Sequence, residues 1–135
     1  MKVLSVFGTR PEMIKMWGTL KKLDELNFDH KMIHTGQNFT PELKEFFFDD
    51  LQLREPDYQL KIDTTSYGRE VADVISKTDE IMGKEKPDCL LILGDTYSGL
   101  SIMPAILNFP SSSIISIQER QCPPPPISKI SFSII

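Results

Sequence analysis

Short apolar runs alternate with amphipathic segments along the first hundred residues of the chain. Residues 2–7, KVLSVF, form a compact run rich in apolar and β-branched side chains, and such a run predicts a buried strand. A helix is predicted from Pro11 to about Leu26, because apolar residues recur there at steps of three and four. Pro11 suits the first helical position, where its missing N–H would have no partner in any case. The predicted inner side of this helix comprises Met13, Met16, Trp17, Leu20 and Leu23.

A second strand and two further helices are predicted next. The strand lies in HKMIHTG, residues 30–36, and Thr40-Pro41-Glu42 then repeats the helix-start signature. Ser66 suits the N-cap of a long helix that reaches about Glu85. The predicted inner residues are Leu43, Phe46 and Phe47 in the first helix and Val71, Val74, Ile75, Ile81 and Met82 in the second.

The stretch KPDCLLILGDT, residues 86–96, contains a fully buried strand that ends at Gly94. Another helix is predicted to begin around Tyr97, and Pro104 is expected to kink or end it. Alternating strands and helices of this kind predict the α/β class, with a parallel sheet and helices on both faces. Cys89 lies within the apolar run, which indicates a buried and inert thiol.

Ligands of such sheets bind beyond the carboxyl ends of the strands. Gly8-Thr9-Arg10 and Gly94-Asp95-Thr96 both follow predicted strands. These two segments are therefore where we expect functional residues.

Composition limits the classes of function. The chain has 135 residues, 40% hydrophobic and 25% charged, which suffices for one domain with a sizeable core. Its net charge of −4 argues against binding to nucleic acid or to an anionic membrane, which would require a basic face. No apolar run approaches the ~18 residues of a membrane span, and the N-terminus has no long apolar region with a cleavage site. A cytoplasmic protein is expected.

The last part of the chain has a different character. From about Leu107, serine, proline and isoleucine dominate and aspartate is absent. Residues 110–117, PSSSIISI, are compatible with one more strand. The four prolines at 123–126 cannot join a helix or a central strand, and they favour polyproline II.

The turn Gly8-Thr9-Arg10 allows two interpretations. A helix start offers N–H groups and a partial positive charge to an anion, Gly8 permits a close approach, and Arg10 could bind a phosphate through two hydrogen bonds. The alternative is a tight turn with a solvated arginine, since the three glycines of a dinucleotide fingerprint are missing. Lys15 lies on the flank of the same helix and could reach the same ligand, although a lone surface lysine is usually just solvated.

Polar residues after the other two strands are also candidates. Asp95 could exchange a proton or bind a sugar hydroxyl, or it could simply cap a helix; no partner at ligand spacing supports a metal there. His30 and His34 share one face of their strand, where a polar face is favoured over metal ligation. Gln37, after Gly36, suits a turn or a hydrogen bond to a ligand.

Three motifs in order and register carry a family resemblance: VFGTRPEMIKM at the start, HTGQNF after the second strand, and KPDCLLILGDTYSGLS later. Over residues 1–106 the chain resembles the N-terminal part of the non-hydrolysing UDP-N-acetylglucosamine 2-epimerases. The resemblance implies a Rossmann-like domain, the N-terminal half of a two-domain glycosyltransferase-B-type fold. It also implies epimerisation of UDP-GlcNAc to UDP-ManNAc, or of a related UDP-N-acetyl sugar, without a redox cofactor, in surface polysaccharide or capsule synthesis.

By the same resemblance, Arg10, Lys15 and Gln37 bind the UDP-N-acetyl sugar, and Asp95 is a catalytic carboxylate. Full-length relatives are expected to be able to form homodimers. Two other functions remain open, a glycosyltransferase of the same architecture and a non-catalytic fragment.

The resemblance stops after about residue 106. The family continues with a His-x-Glu-Ala-Gly motif, and the neighbours of Glu119 at the corresponding place do not match it. Residues 107–135 are therefore interpreted as an aberrant tail, the second domain as absent, and catalysis by this chain alone as doubtful. We hypothesise a change of reading frame or a truncation near Ala105, and a coding sequence in which no single-base shift restores the motif would exclude the frame change.

Overall fold

Five parallel strands form one sheet within the residues that this computed structural model describes, which are 1–37, 48, 50–93, 99–100, 102–108 and 113–117. The strand order is β3-β2-β1-β4-β5, and every neighbouring pair is parallel. The predicted α/β class with a parallel, Rossmann-like sheet is confirmed. In chain order the elements are β1 (Lys2–Phe7), α1 (Arg10–Glu25), β2 (Asp29–His34), β3 (Tyr58–Gln59), α2 (Tyr67–Glu85), β4 (Cys89–Leu93), α3 (Ile102–Asn108) and β5 (Ile114–Ile117).

The two faces of the sheet are covered by different helices, because successive side chains of a strand point to opposite faces. Val3 and Phe7 of β1 belong to a buried cluster with α1, while Leu4 and Val6 belong to a second cluster with α2. The α1 side includes Met13, Met16, Leu20, Met32, Cys89, Leu91 and Leu93, and the α2 side includes Ile33, Leu60, Met82, Leu90 and Ile92.

Helix α1 occupies the predicted segment, but one residue of its predicted inner side is misplaced. Met13, Met16 and Leu20 are buried, whereas Trp17 keeps 40% of its surface exposed. The indole N–H of Trp17 donates to the backbone carbonyl of Leu51 at 2.6 Å. The indole N–H of a tryptophan needs a hydrogen-bond partner when it is shielded from water, and Trp17 reaches its partner from the flank of the helix.

Helix α2 confirms the predicted cap and end. The hydroxyl of Ser66 accepts a hydrogen bond from the Arg69 N–H at 3.4 Å, and the helix runs to Glu85. Val74 and Met82 are buried as predicted, and the prediction missed Thr78, which is also fully buried. Val71, Ile75 and Ile81 are half-buried.

The elements that follow α2 complete the sheet and confirm part of what the sequence predicts. All five residues of β4 are buried, including the thiol of Cys89, whose pKa is raised by burial. Pro104 was expected to kink or end the next helix, and it does not end it: Pro104 is the third residue of α3, where its missing N–H is not needed, and the helix runs on to Asn108. The predicted strand in residues 110–117 is confirmed as β5. The helix predicted at Thr40–Glu42, the Gly94–Tyr97 segment and the prolines at 123–126 lie outside the described residues.

Charged side chains join β2 to the loop before β3 at the amino edge of the sheet. The Asp57 carboxylate accepts hydrogen bonds from the Met32 N–H at 3.0 Å and from the side chains of Lys31 at 3.0 Å and Arg54 at 2.6 Å. Burial acts to raise the pKa of Asp57, but these three donors outweigh it and lower the pKa to about 2.

The substitution Asp57→Asn tests this cluster. The lowered pKa means that the native state gains stability from Asp57 above pH 4, and this gain is lost as the pH falls toward 2. We expect the substitution to reduce the free energy of unfolding by about 2 kcal/mol at pH 7 and by much less at pH 2.5, measured by urea titration. Asp79→Asn, at an exposed position of α2, is the matched control. The same loss at both pH values would contradict the interpretation.

Thr78 provides a second test of the core. Its hydroxyl is buried and finds no hydrogen-bond partner among the described residues. Thr78→Val should therefore raise the free energy of unfolding by about 1 kcal/mol, because a buried unsatisfied hydroxyl is replaced by a methyl group. Thr19→Val, at a half-buried position of α1, is the control and should change stability by less than about 0.5 kcal/mol.

Candidate functional site

Three strands end together at the carboxyl edge of the sheet. The register pairs Phe7 of β1 with His34 of β2, and Val6 with Ile92 of β4, one residue before β4 ends at Leu93. These three strands therefore end at the same edge, as the sequence predicts. This edge is the candidate functional site.

The β1–α1 turn carries an internal anion. The Glu12 carboxylate accepts hydrogen bonds from the backbone N–H groups of Gly8 at 2.7 Å and of Thr9 at 2.9 Å. Glu12 is only 1% exposed, which is unusual for a glutamate and is explained by these two bonds. Two of the amides that the sequence offers to an external anion, those of Gly8 and Thr9, are thus bound by the protein's own carboxylate.

Arg10 and Lys15 both lie at exposed positions on α1. Arg10 is the first helical residue and therefore stands at the carboxyl edge. A spacing of five residues separates the two Cα atoms by roughly 7.5 Å along the axis and by about 140° around it. To meet Arg10 at one ligand, the Lys15 side chain has to extend back toward the start of the helix.

The chain leaves β2 through a tight turn beside β3. The Gly36 N–H donates to Nδ1 of His34 at 3.0 Å, and the Thr35 N–H donates to the Phe7 carbonyl at 2.9 Å. Gly36 has a φ of +83°, and a Cβ built on it would lie 2.6 Å from the Leu60 carbonyl oxygen. Only glycine satisfies both the left-handed backbone and this close approach.

Gln37 follows this turn at the carboxyl edge. It is half-buried, and its Oε1 is shielded from solvent with no hydrogen-bond partner among the described residues. An unsatisfied buried acceptor is uncommon and is often found where a ligand binds. Gln37 is therefore a candidate donor–acceptor group for a ligand at this edge.

His30 lies at the other end of β2 and takes no part in this site. Its Nδ1 is 2.7 Å from the Asp24 carboxylate and its Nε2 is 2.9 Å from the Ser5 hydroxyl. Burial lowers its pKa, against the opposing effect of Asp24. His30 and His34 share a face, as predicted, but their separation along the strand is roughly 13 Å.

The fourth candidate, Asp95, lies outside the described residues, so its side chain has no placement here. Asp95 follows the end of β4 by two residues in the sequence and stays a prediction. Within the described part of the chain, no three His, Cys, Asp or Glu residues are arranged to hold a metal ion. Among the same residues, no helix has the length and apolarity needed to cross a membrane.

These features define a Rossmann-like α/β sheet with flanking helices, a class of fold that binds ligands beyond the carboxyl ends of its strands. The chain belongs to the UDP-N-acetylglucosamine 2-epimerase family, whose profile matches residues 21–108.

Individual relatives agree with this assignment. A UDP-N-acetylglucosamine 2-epimerase homolog of Methanococcus maripaludis is 38% identical over 101 residues, 75% of this chain and 28% of the relative. The structure of UDP-N-acetylglucosamine 2-epimerase from Rickettsia bellii is 39% identical with a TM-score of 0.74, and covers 86% of this chain and 30% of that one. The Methanocaldococcus jannaschii UDP-GlcNAc 2-epimerase, in complex with UDP-GlcNAc and UDP, is 29% identical with a TM-score of 0.75, covering 87% and 32%. The chain thus spans about a third or less of the length of these relatives.

The turn after β2 gives a direct test of the edge geometry. Gly36→Ala should lower the free energy of unfolding by about 2 kcal/mol or more, because the added Cβ meets the Leu60 carbonyl in a left-handed conformation. Gly18→Ala is the matched control, since nothing lies within 4 Å of the Cβ that would be added there and alanine favours the helix. Thermal melts of both variants measure the effect, and equal stability of the two would disprove the steric argument.

Proposed function

We propose that this chain forms the nucleotide-sugar-binding edge of an enzyme that epimerises UDP-GlcNAc, or a closely related UDP-N-acetyl sugar, at C2. One observation carries the proposal: the register ends β1, β2 and β4 at one edge, and Arg10 and Gln37 follow the first two of these strands within three residues. Membership of the epimerase family, together with a relative whose structure contains UDP-GlcNAc and UDP, supports this choice of ligand.

The proposed roles follow from charge and position. Arg10 is a cation at the start of α1, and Lys15 is a second cation five residues further on whose side chain can extend back toward it, so both suit the two phosphates of the substrate and of the departing UDP. Gln37 has an acceptor without a partner among the described residues, and we assign it to a hydroxyl or N–H group of the nucleotide-sugar. Asp95 is the carboxylate that exchanges a proton at the sugar.

The chemistry proposed is elimination followed by addition. A base removes the proton at C2 while the bond between C1 and the diphosphate oxygen breaks, and UDP leaves with the electron pair. The resulting C1=C2 double bond then regains UDP at C1 and a proton on the opposite face of C2. Overall oxidation state does not change, so the reaction requires no redox cofactor.

The wider setting is also a proposal. We place the activity in the cytoplasm, in the supply of N-acetyl sugars for surface polysaccharide or capsule, and we expect the whole protein to be able to form a homodimer. Because the chain spans 28% of a relative such as that of M. maripaludis, the proposed turnover concerns a protein of the relatives' length. For the 135 residues alone we propose weak binding of the nucleotide-sugar.

The binding proposal is tested on the purified chain with UDP and UDP-GlcNAc, using NMR signals of the nucleotide. Arg10→Ala should weaken binding by about tenfold, because a charge-assisted contact to phosphate is lost. Lys22→Ala is the control, since Lys22 is exposed in the last turn of α1, far from the helix start, and pairs with Glu25. Absence of binding by the unmodified chain, or equal effects of the two variants, would contradict the proposed site.

The catalytic proposal is tested in a protein that extends this chain to the length of its relatives. Incubation with UDP-GlcNAc in D₂O should yield UDP-ManNAc with deuterium at C2, detected by proton NMR. Asp95→Asn should reduce turnover by about 10²-fold or more, the usual contribution of a positioned acid or base. Asp79→Asn, on the exposed side of α2, should leave turnover unchanged. Normal turnover by the Asp95 variant would remove Asp95 from the mechanism.

A further inference from the structure

The start of α1 would ordinarily be an anion-binding site, because N–H groups and the helix dipole both favour negative charge there. In this chain a carboxylate of the protein itself already binds two N–H groups at the start of α1. Glu12 is the third residue of α1, and its Oε2 accepts from the N–H groups of both Gly8 and Thr9. A glutamate at this position commonly binds the N-cap N–H alone; here the same oxygen also binds the residue before the cap.

Burial makes this arrangement hard to displace. Glu12 is 1% exposed, and Gly8 is buried beside it. A substrate phosphate could take these two N–H groups only by expelling the carboxylate, which would then be a buried charge without these two donors. The negative charge of Glu12 also offsets the partial positive charge of the helix start. The N–H groups of Gly8 and Thr9 are therefore closed to the substrate's diphosphate.

The same two hydrogen bonds fix the residue that follows them. Gly8 and Thr9 connect β1 directly to Arg10, and Thr9 has an extended backbone with φ −123° and ψ 158°. Gly8 has no side chain to restrain its backbone, so the bonds to Glu12 hold the turn in place. The position of Arg10 at the carboxyl edge depends on this turn.

We propose that Glu12 is a positioning residue of the nucleotide-sugar site. Its buried carboxylate holds the Gly8–Thr9 turn so that Arg10 faces the substrate, and it leaves recognition of the diphosphate to cationic side chains instead of backbone amides. The inference rests on the proposed function for its ligand, but the part that concerns the turn does not depend on any ligand.

Hydrogen exchange and relaxation of the 135-residue chain, measured by NMR without ligand, test the turn. The amides of Gly8 and Thr9 should exchange at least about tenfold faster in Glu12→Ala than in the unmodified chain, since each loses its acceptor. The Arg10 backbone N–H should become more mobile in the same variant. Glu12→Gln retains an oxygen acceptor and should keep most of the protection. Glu25→Gln, at the exposed end of α1, is the control and should change nothing at the turn. Unchanged exchange and mobility in Glu12→Ala would overturn the proposal.

A double-mutant cycle with UDP as the probe tests the action through Arg10. Glu12→Ala should weaken UDP binding by about tenfold, and adding Arg10→Ala should cause little further loss, because both changes remove one contact. Glu12→Gln should stay within about threefold of the unmodified chain, which provides a variant that folds if the alanine variant does not.

The opposing outcomes are distinct. Tighter UDP binding by Glu12→Ala would mean that the amides themselves bind phosphate, and fully additive losses would mean that Glu12 does not act through Arg10; either result overturns the proposal. If the unmodified chain binds no UDP, the proposed function of this chain fails, and the exchange and relaxation measurements alone decide the role of Glu12 in the turn.

Discussion

The central strand β1 imposes the constraint on which the rest of the structure depends. Its six residues pair in parallel with β2 on one side and β4 on the other, and both of its faces are buried under helices. Every residue from Val3 to Phe7 is buried. A shift of one residue would exchange the two faces and separate the strand ends that meet at the carboxyl edge. The site exists because this register is fixed.

Much of the fold could be predicted because buried parallel strands and amphipathic helices leave strong patterns. The cap at Ser66 and the burial of β4 followed from local chemistry alone. Trp17 and Pro104 were misjudged for tertiary reasons. The partner of the Trp17 indole is a carbonyl 34 residues away, and the effect of Pro104 depends on where its helix begins. Neither the distant hydrogen-bond partner of Trp17 nor the first residue of α3 can be read from a local sequence pattern.

The common edge of the strand ends was predictable from the sequence, whereas the contacts at that edge were not. Strand ends make Arg10, Gln37 and Asp95 candidates, since parallel strands place their carboxyl ends together. The sequence also shows a glutamate three residues after Thr9, the spacing of a capping box. That spacing could have revealed that a side chain of α1 itself offsets the partial positive charge at the start of the helix. What it could not reveal is the second bond to Gly8, which depends on the path of the chain out of β1.

Three hydrogen-bonded residues away from the candidate edge show why solvent access matters when a functional site is assigned. Ser5, His30 and Asp24 are joined in a line by hydrogen bonds of 2.9 and 2.7 Å, the order and spacing of a hydrolase triad. Yet Ser5 has no exposed surface and the His30 side chain is 1% exposed, so no acyl group can reach the hydroxyl. A template that matches only interatomic distances would assign a protease or esterase to the wrong end of this domain. Solvent access, and not the arrangement of the three side chains, distinguishes a catalytic site from a hydrogen-bond network that only stabilises the fold.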